Sequence, residues 1–222
     1  MTATALKGDL ESLRARVRQL EETAVRQPLP TLPALTGLVE LRPGAAYEVD
    51  SASLVLALLA GASRQGLWSS VVGLGDLGWE AATALGVDLG RTVVVPDPRE
   101  HWLEVTAALI ELAGVVALRP PGRAAARDAH RIAARLRSKG TALIVWGSWP
   151  MPEGRLSLST PRWSGLGRGE GRLHTRSAVL TVRKGAGPER HAELLLSGDG
   201  TISRVVSDTR APVGPVDEQV AV

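Results

Sequence analysis

The sequence predicts an α/β fold: a mostly parallel sheet flanked by helices, extended by C-terminal antiparallel strands and preceded by an N-terminal helix. Two patterns predict it. Between Gly37 and Val145, short apolar runs without alternation are separated by segments of helical periodicity. Strands that are apolar on both sides belong to parallel sheets covered on both faces. Beyond Pro150 the pattern changes to apolar–polar alternation among Gly and Arg residues, which is how antiparallel hairpins read.

The elements follow in order. Residues 1–26 read as an amphipathic helix, because Leu6, Leu10, Leu13, Val17, Leu20 and Ala24 recur at alternating spacings of four and three. So narrow a seam suits a helix lying on one neighbour, either its own domain or a partner. Pro28, Pro30 and Pro33 make 27–36 a Pro-rich linker. The core is expected over 37–206. Ala45–Val49 reads as a strand and Ser51–Arg64 as a helix capped by Asp50 or Ser51. Gly66–Gly73 reads as a strand, Trp79–Leu85 as a short helix and Thr92–Val95 as a strand. A helix starts near Pro98, which suits a first turn, and ends before Gly114. Val115–Leu118, Gly122–Ser138 and Thr141–Trp146 read as strand, basic helix and strand. Hairpins follow, with His191–Leu196 a further strand, and 207–222 reads as a flexible tail.

At 222 residues the chain is long enough for one well-buried core. It has no Phe and one Tyr, so aliphatic side chains and the six Trp must fill that core. With no Cys, disulfides and thiolate metal sites are excluded. No signal peptide is expected, since the N-terminus lacks a long apolar run. The net charge of +3 is modest, but basic residues from Arg155 to Arg190 crowd the C-terminal third. That crowding favours a polyanion or an acidic partner there.

Few residues point to chemistry. Gly73, Gly75 and Gly78 match the dinucleotide fingerprint G-x-G-x-x-G after a strand and before a helix, with Asp97 at the end of the next strand. A full strand–helix unit precedes this turn, however, and no hydride-transfer site follows it. A plain tight turn is the other reading. A phosphate-cradling loop needs glycines, a Lys for the phosphates and a hydroxyl for magnesium. Its place is after the first core strand, where the chain reads Asp50-Ser51-Ala52-Ser53. There is no Gly-rich loop or Lys, and a carboxylate there repels phosphate. The strand Val115–Leu118 ends in Arg119 where magnesium requires an Asp. Ser63, Ser69 and Ser70 connect to no His–Asp set. No catalytic residue, metal site or cofactor is expected. Trp146, inside a strand, reads as core. Trp149 and Trp163, with Arg168 and Arg172 nearby, read as a partner-binding surface; stacking on single-stranded nucleic acid and plain packing are the alternatives.

These residues also carry a family resemblance. Gly66–Asp97 resembles the stretch of the recombinase RecA in which a strand leads to a helix, then L-G-V-D, here Leu85–Asp88, then an apolar strand ending in Pro96-Asp97. Gly114–Leu118 is similar to the RecA strand that bears the magnesium Asp. Ala142–Trp146 is similar to the strand ending in that family's nucleotide-sensing Gln, a position where Gly147 follows here. The whole chain resembles the ImuA-prime family, short actinobacterial RecA-like proteins of the damage-inducible mutasome. Gly66-Leu67-Trp68, Val95–Pro98, Ala117–Pro121, Trp149-Pro150 and Trp163–Gly167 carry this second likeness. It implies a RecA-like core without ATPase function. It also implies an accessory role in error-prone translesion synthesis, in the cytoplasm and at the nucleoid after DNA damage. The implied partner is ImuB, and through it an error-prone C-family DNA polymerase and the sliding clamp. Leu10, Leu13, Val17 and Leu20 join Trp149, Trp163, Arg168 and Arg172 as the expected partner-binding residues. A single-stranded DNA-binding repair factor and, further off, a dinucleotide-binding enzyme are the competing functions.

Overall fold

The computed structural model of the protein describes residues 27–167 and 170–205, the side chains of 166–173 excepted. The helix read over 1–26, with Leu10, Leu13, Val17 and Leu20, and the tail read over 207–222 lie outside the described residues. The parallel strands are β1 (Ala46–Val49), β2 (Ser69–Val72), β3 (Thr92–Val95), β4 (Val115–Leu118) and β5 (Ala142–Trp146). β6 (Gly154–Gly167) still runs parallel to β1, and β7 (Glu170–Lys184), β8 (Arg190–Ser197) and β9 (Ile202–Arg204) follow antiparallel. Among the described residues these nine strands form one sheet in the order β3-β2-β4-β5-β1-β6-β7-β8-β9.

The unbroken apolar runs have the expected consequence. Side chains alternate between two cores on opposite faces of the sheet. Val71, Val115, Ala117 and Ile144 enter one core. Val72, Val116, Leu118, Leu143 and Val145 enter the other. The first face is covered by α1 (Ala52–Ser63) and α2 (Trp79–Leu85), the second by α3 (Trp102–Ile110) and α4 (Ala126–Lys139). Three elements start clearly later than the sequence implied, among them α4, read from Gly122 and formed from Ala126. Glycine and proline punctuation does not fix where hydrogen bonding begins, so the run from Gly66 narrows to β2. The helix expected near Pro98 opens as a 3₁₀ turn, Arg99–His101, before α3.

α1 differs from the other helices. Ser51 caps it, its hydroxyl accepting from the Leu54 N–H at 3.4 Å, and every residue from Leu54 to Ser63 is buried. A helix that is apolar all round needs cover on the side away from the sheet. Residues 27–36 supply part of that cover, which corrects their reading as an extended linker. Pro33–Leu35 form a 3₁₀ turn that buries Leu35, Leu32 is buried beside it, and Leu29 bridges to Leu41. Prolines do mark irregular backbone here, but the leucines between them are anchors. The strap is pinned from the far edge of the sheet: Arg204 donates to the carbonyls of Ala34 and Thr36, and Arg190 to that of Gly37 at 3.0 Å. Where the strap crosses α1, a Cβ on Gly61 would sit 2.6 Å from Thr31 Cα and 2.8 Å from the Pro30 carbonyl oxygen. Beneath the strap, the buried Tyr47 hydroxyl accepts from the Arg42 N–H at 2.7 Å and donates to the Glu40 carbonyl at 2.8 Å.

Gly61→Ala is therefore expected to lower the melting temperature by several degrees, since overpacking against backbone costs about 1–3 kcal/mol. A melt indistinguishable from that of the parent would show that the strap does not seat on α1. Burial pushes the Tyr47 hydroxyl from its ordinary 10.0 up to about 12, against the opposing pull of the Arg42 hydrogen bond. A raised folded-state value means that stability is full below the unfolded value and is lost as pH rises through the folded one. Between pH 10 and about 12 the melting temperature is expected to fall more steeply than in Tyr47→Phe. Parallel curves for the two proteins would count against this linkage.

Candidate functional site at the C-terminal ends of the parallel strands

In open parallel sheets, ligands bind in the crevice beyond the C-terminal ends of the strands. Here β4, β5 and β1 end side by side at Leu118, Trp146 and Val49. The residues that follow them are all engaged within the protein. Both Asp50 carboxylate oxygens accept from the Leu158 N–H at 3.1 Å. That contact is possible because Val49 pairs with Leu156, which sets Leu158 just beyond the end of β1. Ser51 is spent on capping α1, and the Ser53 hydroxyl accepts from the Arg176 guanidinium at 2.8 Å. Arg119, following β4, pairs with Asp76 at 3.3 Å and stacks 4.5 Å from the centre of the half-buried Trp146 ring. Glu48 accepts from the Trp149 N–H at 3.1 Å and pairs with Arg155 at 3.4 Å.

A nucleoside triphosphate with magnesium does not fit these residues. The turn after β1 carries the Asp50 carboxylate and no basic residue, and the residue that follows β4 is Arg119, whose guanidinium cannot ligate a cation. The segment Asp50–Ser53 instead latches the antiparallel half of the molecule to the parallel half. The turn Gly73–Gly78 is accounted for by packing as well. Gly73 has φ +74°, and a Cβ there would lie 2.3 Å from the Arg119 carbonyl oxygen. Its N–H bonds the Val95 carbonyl at 2.9 Å, and Gly75 backs onto Pro96. Those glycines let neighbouring strand ends cross closely. Ser63 accepts from the Asp88 N–H at 2.6 Å, while Ser69 and Ser70 are buried within the sheet. Among the described residues, no three His, Asp or Glu side chains converge to hold a metal ion.

The Trp residues separate clearly. Trp149 is 3 % exposed and packs in the core with Ala129 and Leu136 of α4. Its reading as a partner-binding residue is corrected: Pro and Gly neighbours place it on a loop, but the loop folds its ring inward. Ala129 and Ala133, one turn apart on α4, line the same hollow, and that pair of small residues was the available signal. Trp163 is 58 % exposed. It sits on the part of β6 that continues past β1, where β6 and β7 project as a hairpin. The register shifts between Ser159 and Arg162, with Thr160 at φ +47°. A bulge of this kind re-aims the side chains beyond it. Trp163 thereby becomes the cross-strand partner of Arg176, whose guanidinium lies 5.4 Å from the ring centre. Arg168 lies outside the described residues, and Arg172 lies in β7 with its side chain undescribed.

Comparison with known proteins bears on this half of the molecule. The model of the MT3502 N-terminal domain family matches residues 33–151. The chain belongs to this family. The match runs from the strap through β5 to the loop carrying Trp149, and stops just before β6. The uncharacterized protein Rv3395c of Mycobacterium tuberculosis (strain ATCC 25618 / H37Rv) is 37 % identical over 154 residues, spanning 67 % of this chain and 74 % of that protein.

Trp149→Ala is expected to destabilise the fold by about 3–5 kcal/mol, the usual cost of emptying a buried aromatic site. Trp163→Ala should shift the denaturation midpoint little. Equal losses in chemical denaturation would mean that the two rings are packed alike.

Proposed function

We propose that the chain is a non-catalytic, RecA-like accessory subunit that binds ImuB in a damage-inducible complex for error-prone translesion synthesis. The observation that carries the non-catalytic part is the latch at the end of β1: Asp50 is held by Leu158 and Ser53 by Arg176. A phosphate entering there meets a carboxylate, and it must break contacts that join the two halves of the sheet. Phosphoryl transfer depends on cationic groups around the phosphates, and Asp50–Ser53 supplies a carboxylate and no cation. The RecA-like reading is supported by element order. In order come β2, α2, Leu85–Asp88 and β3, with Pro96-Asp97 directly after it. In this sequence Leu85 and Val87 have become core residues, and Asp88 caps the turn before β3.

RecA subunits join by docking a helix and a strand on the neighbouring core, and ImuB would use the corresponding surface. β3 suits strand addition, because among the described residues it pairs with β2 alone and exposes Val94. Exposed Trp68, Leu89 and Leu112 lie just before β2, β3 and β4 and offer apolar area at the adjoining end of the sheet. Backbone pairing supplies affinity in such contacts, and side-chain pockets supply selectivity.

Two measurements test this. Calorimetric titration with Mg-ATP is expected to give no micromolar binding, and purified protein no turnover; either one, surviving stringent purification, overturns the non-catalytic reading. Full-length ImuB is expected to bind the parent and to lose roughly tenfold or more in affinity with Val94→Asp, because a charge on an edge strand opposes pairing. A parent that does not bind ImuB removes the partner, whereas undiminished binding by Val94→Asp removes the β3 surface alone.

A further inference from the structure

The projecting part of the β6–β7 hairpin leans over α1 and α2, and between them lies a mostly apolar hollow of about 280 Å³. Leu56, Ala81 and Leu85 line it from the helices, and Leu196 and Ile202 line it from β8 and β9. Trp163, His174 and Arg176 line it from the hairpin. Among the described residues no carboxylate lines the hollow, and none pairs with Arg176. The nearby Asp199 is turned to its own loop, accepting from the Thr201 N–H at 2.9 Å. Arg176 is half-buried, with one nitrogen on Ser53 and its plane beside Trp163. A partly desolvated guanidinium with no counter-ion among the described residues, set beside an apolar hollow, suits a large apolar side chain next to a carboxylate.

We propose that this hollow is a docking site for an extended acidic segment of a partner protein. The segment would insert one large apolar side chain beside Trp163 and set an adjacent carboxylate on Arg176. A nucleic acid is the weaker fit. A polyanion needs a track of available cations; on the described hairpin Arg155 and Arg183 are already paired with Glu48 and Glu189, which leaves Arg162 and Arg176. Trp with Arg beside an apolar hollow is the composition of an energetic centre in protein–protein contacts. The site lies on the opposite side of β1 from the β3 edge in strand order, and it does not require that the partner be ImuB.

The test is selection of a phage-displayed library of random peptides, roughly ten residues long, on the immobilised full chain, as suits an extended segment. Winning peptides are expected to place Asp or Glu within two residues of Leu, Phe or Trp. Ala81→Trp fills the hollow from an exposed helix position and is expected to weaken those peptides about tenfold or more, as loss of an anchor pocket does. Arg176→Met is expected to remove the preference for the acidic residue. Should Ala81→Trp melt well below the parent, Trp163→Ala, at an exposed position, replaces it with the same expectation. No enrichment, enrichment of neutral or basic peptides, or affinity unchanged by the filling variant overturns the proposal. So does oligothymidylate binding that Ala81→Trp abolishes, which would assign the hollow to single-stranded nucleic acid.

Discussion

α1 is buried on every side, and the rest of the architecture answers to that constraint. An all-apolar helix cannot rest on a sheet with one flank in water. The β1 side of the sheet covers one flank, α2 another, and the strap at residues 29–41 the outside. The strap in turn needs holding, because the carbonyls of Ala34, Thr36 and Gly37 face the edge of the sheet and its prolines cannot donate. Arg204 and Arg190, on strands more than a hundred residues later in the chain, provide that hold. The long antiparallel extension is therefore part of what keeps the N-terminal half closed.

Arginine has a structural use here that its abundance does not disclose. Arg64 donates to the Leu85 carbonyl, Arg91 to Gly66, Arg190 to Gly37 and Arg204 to Ala34 and Thr36. The forked guanidinium suits this, since it can reach across from a neighbouring element and satisfy carbonyls left over at turns and helix ends. Several basic residues of the C-terminal third are likewise spoken for by Glu48, Glu189 or Ser53. Exposed ion pairs of this type contribute little stability each, but they use up charge that would otherwise draw a polyanion. Among the described basic residues of this third, Arg155, Arg183, Lys184 and Arg190 serve as internal bracing, whereas Arg162 makes no ion pair and Arg176 meets only Ser53 and the Trp163 ring.

The end of β1 shows how a strand end can serve as a fastening. A strand end, a turn and a buried helix follow one another there. Asp50 then takes a backbone N–H of the adjacent strand, and Ser53 takes Arg176. Hydrogen bonds from N–H groups to a carboxylate are stronger than neutral ones, so the turn becomes a fastening between two halves of one sheet.

The sequence by itself determined the alternation of strands and helices, the parallel character of the first half and the two faces of its core. Local backbone preference and apolar periodicity are enough for these, and Thr92–Val95 and Val115–Leu118 lie where periodicity put them. The sequence also leaves the turn after β1 without a Gly-rich loop or a Lys. Other features depended on tertiary structure because they are set by contacts between segments far apart in the chain. A Pro-rich stretch reads the same whether it spans solvent or straps a helix, and only the depth of Leu32 and Leu35 tells the two apart. Trp149 and Trp163 stand in similar Gly- and Pro-rich settings. The slot beside Ala129 and Ala133 took one ring inward, and the bulge at Ser159–Arg162 sent the other out beside Arg176.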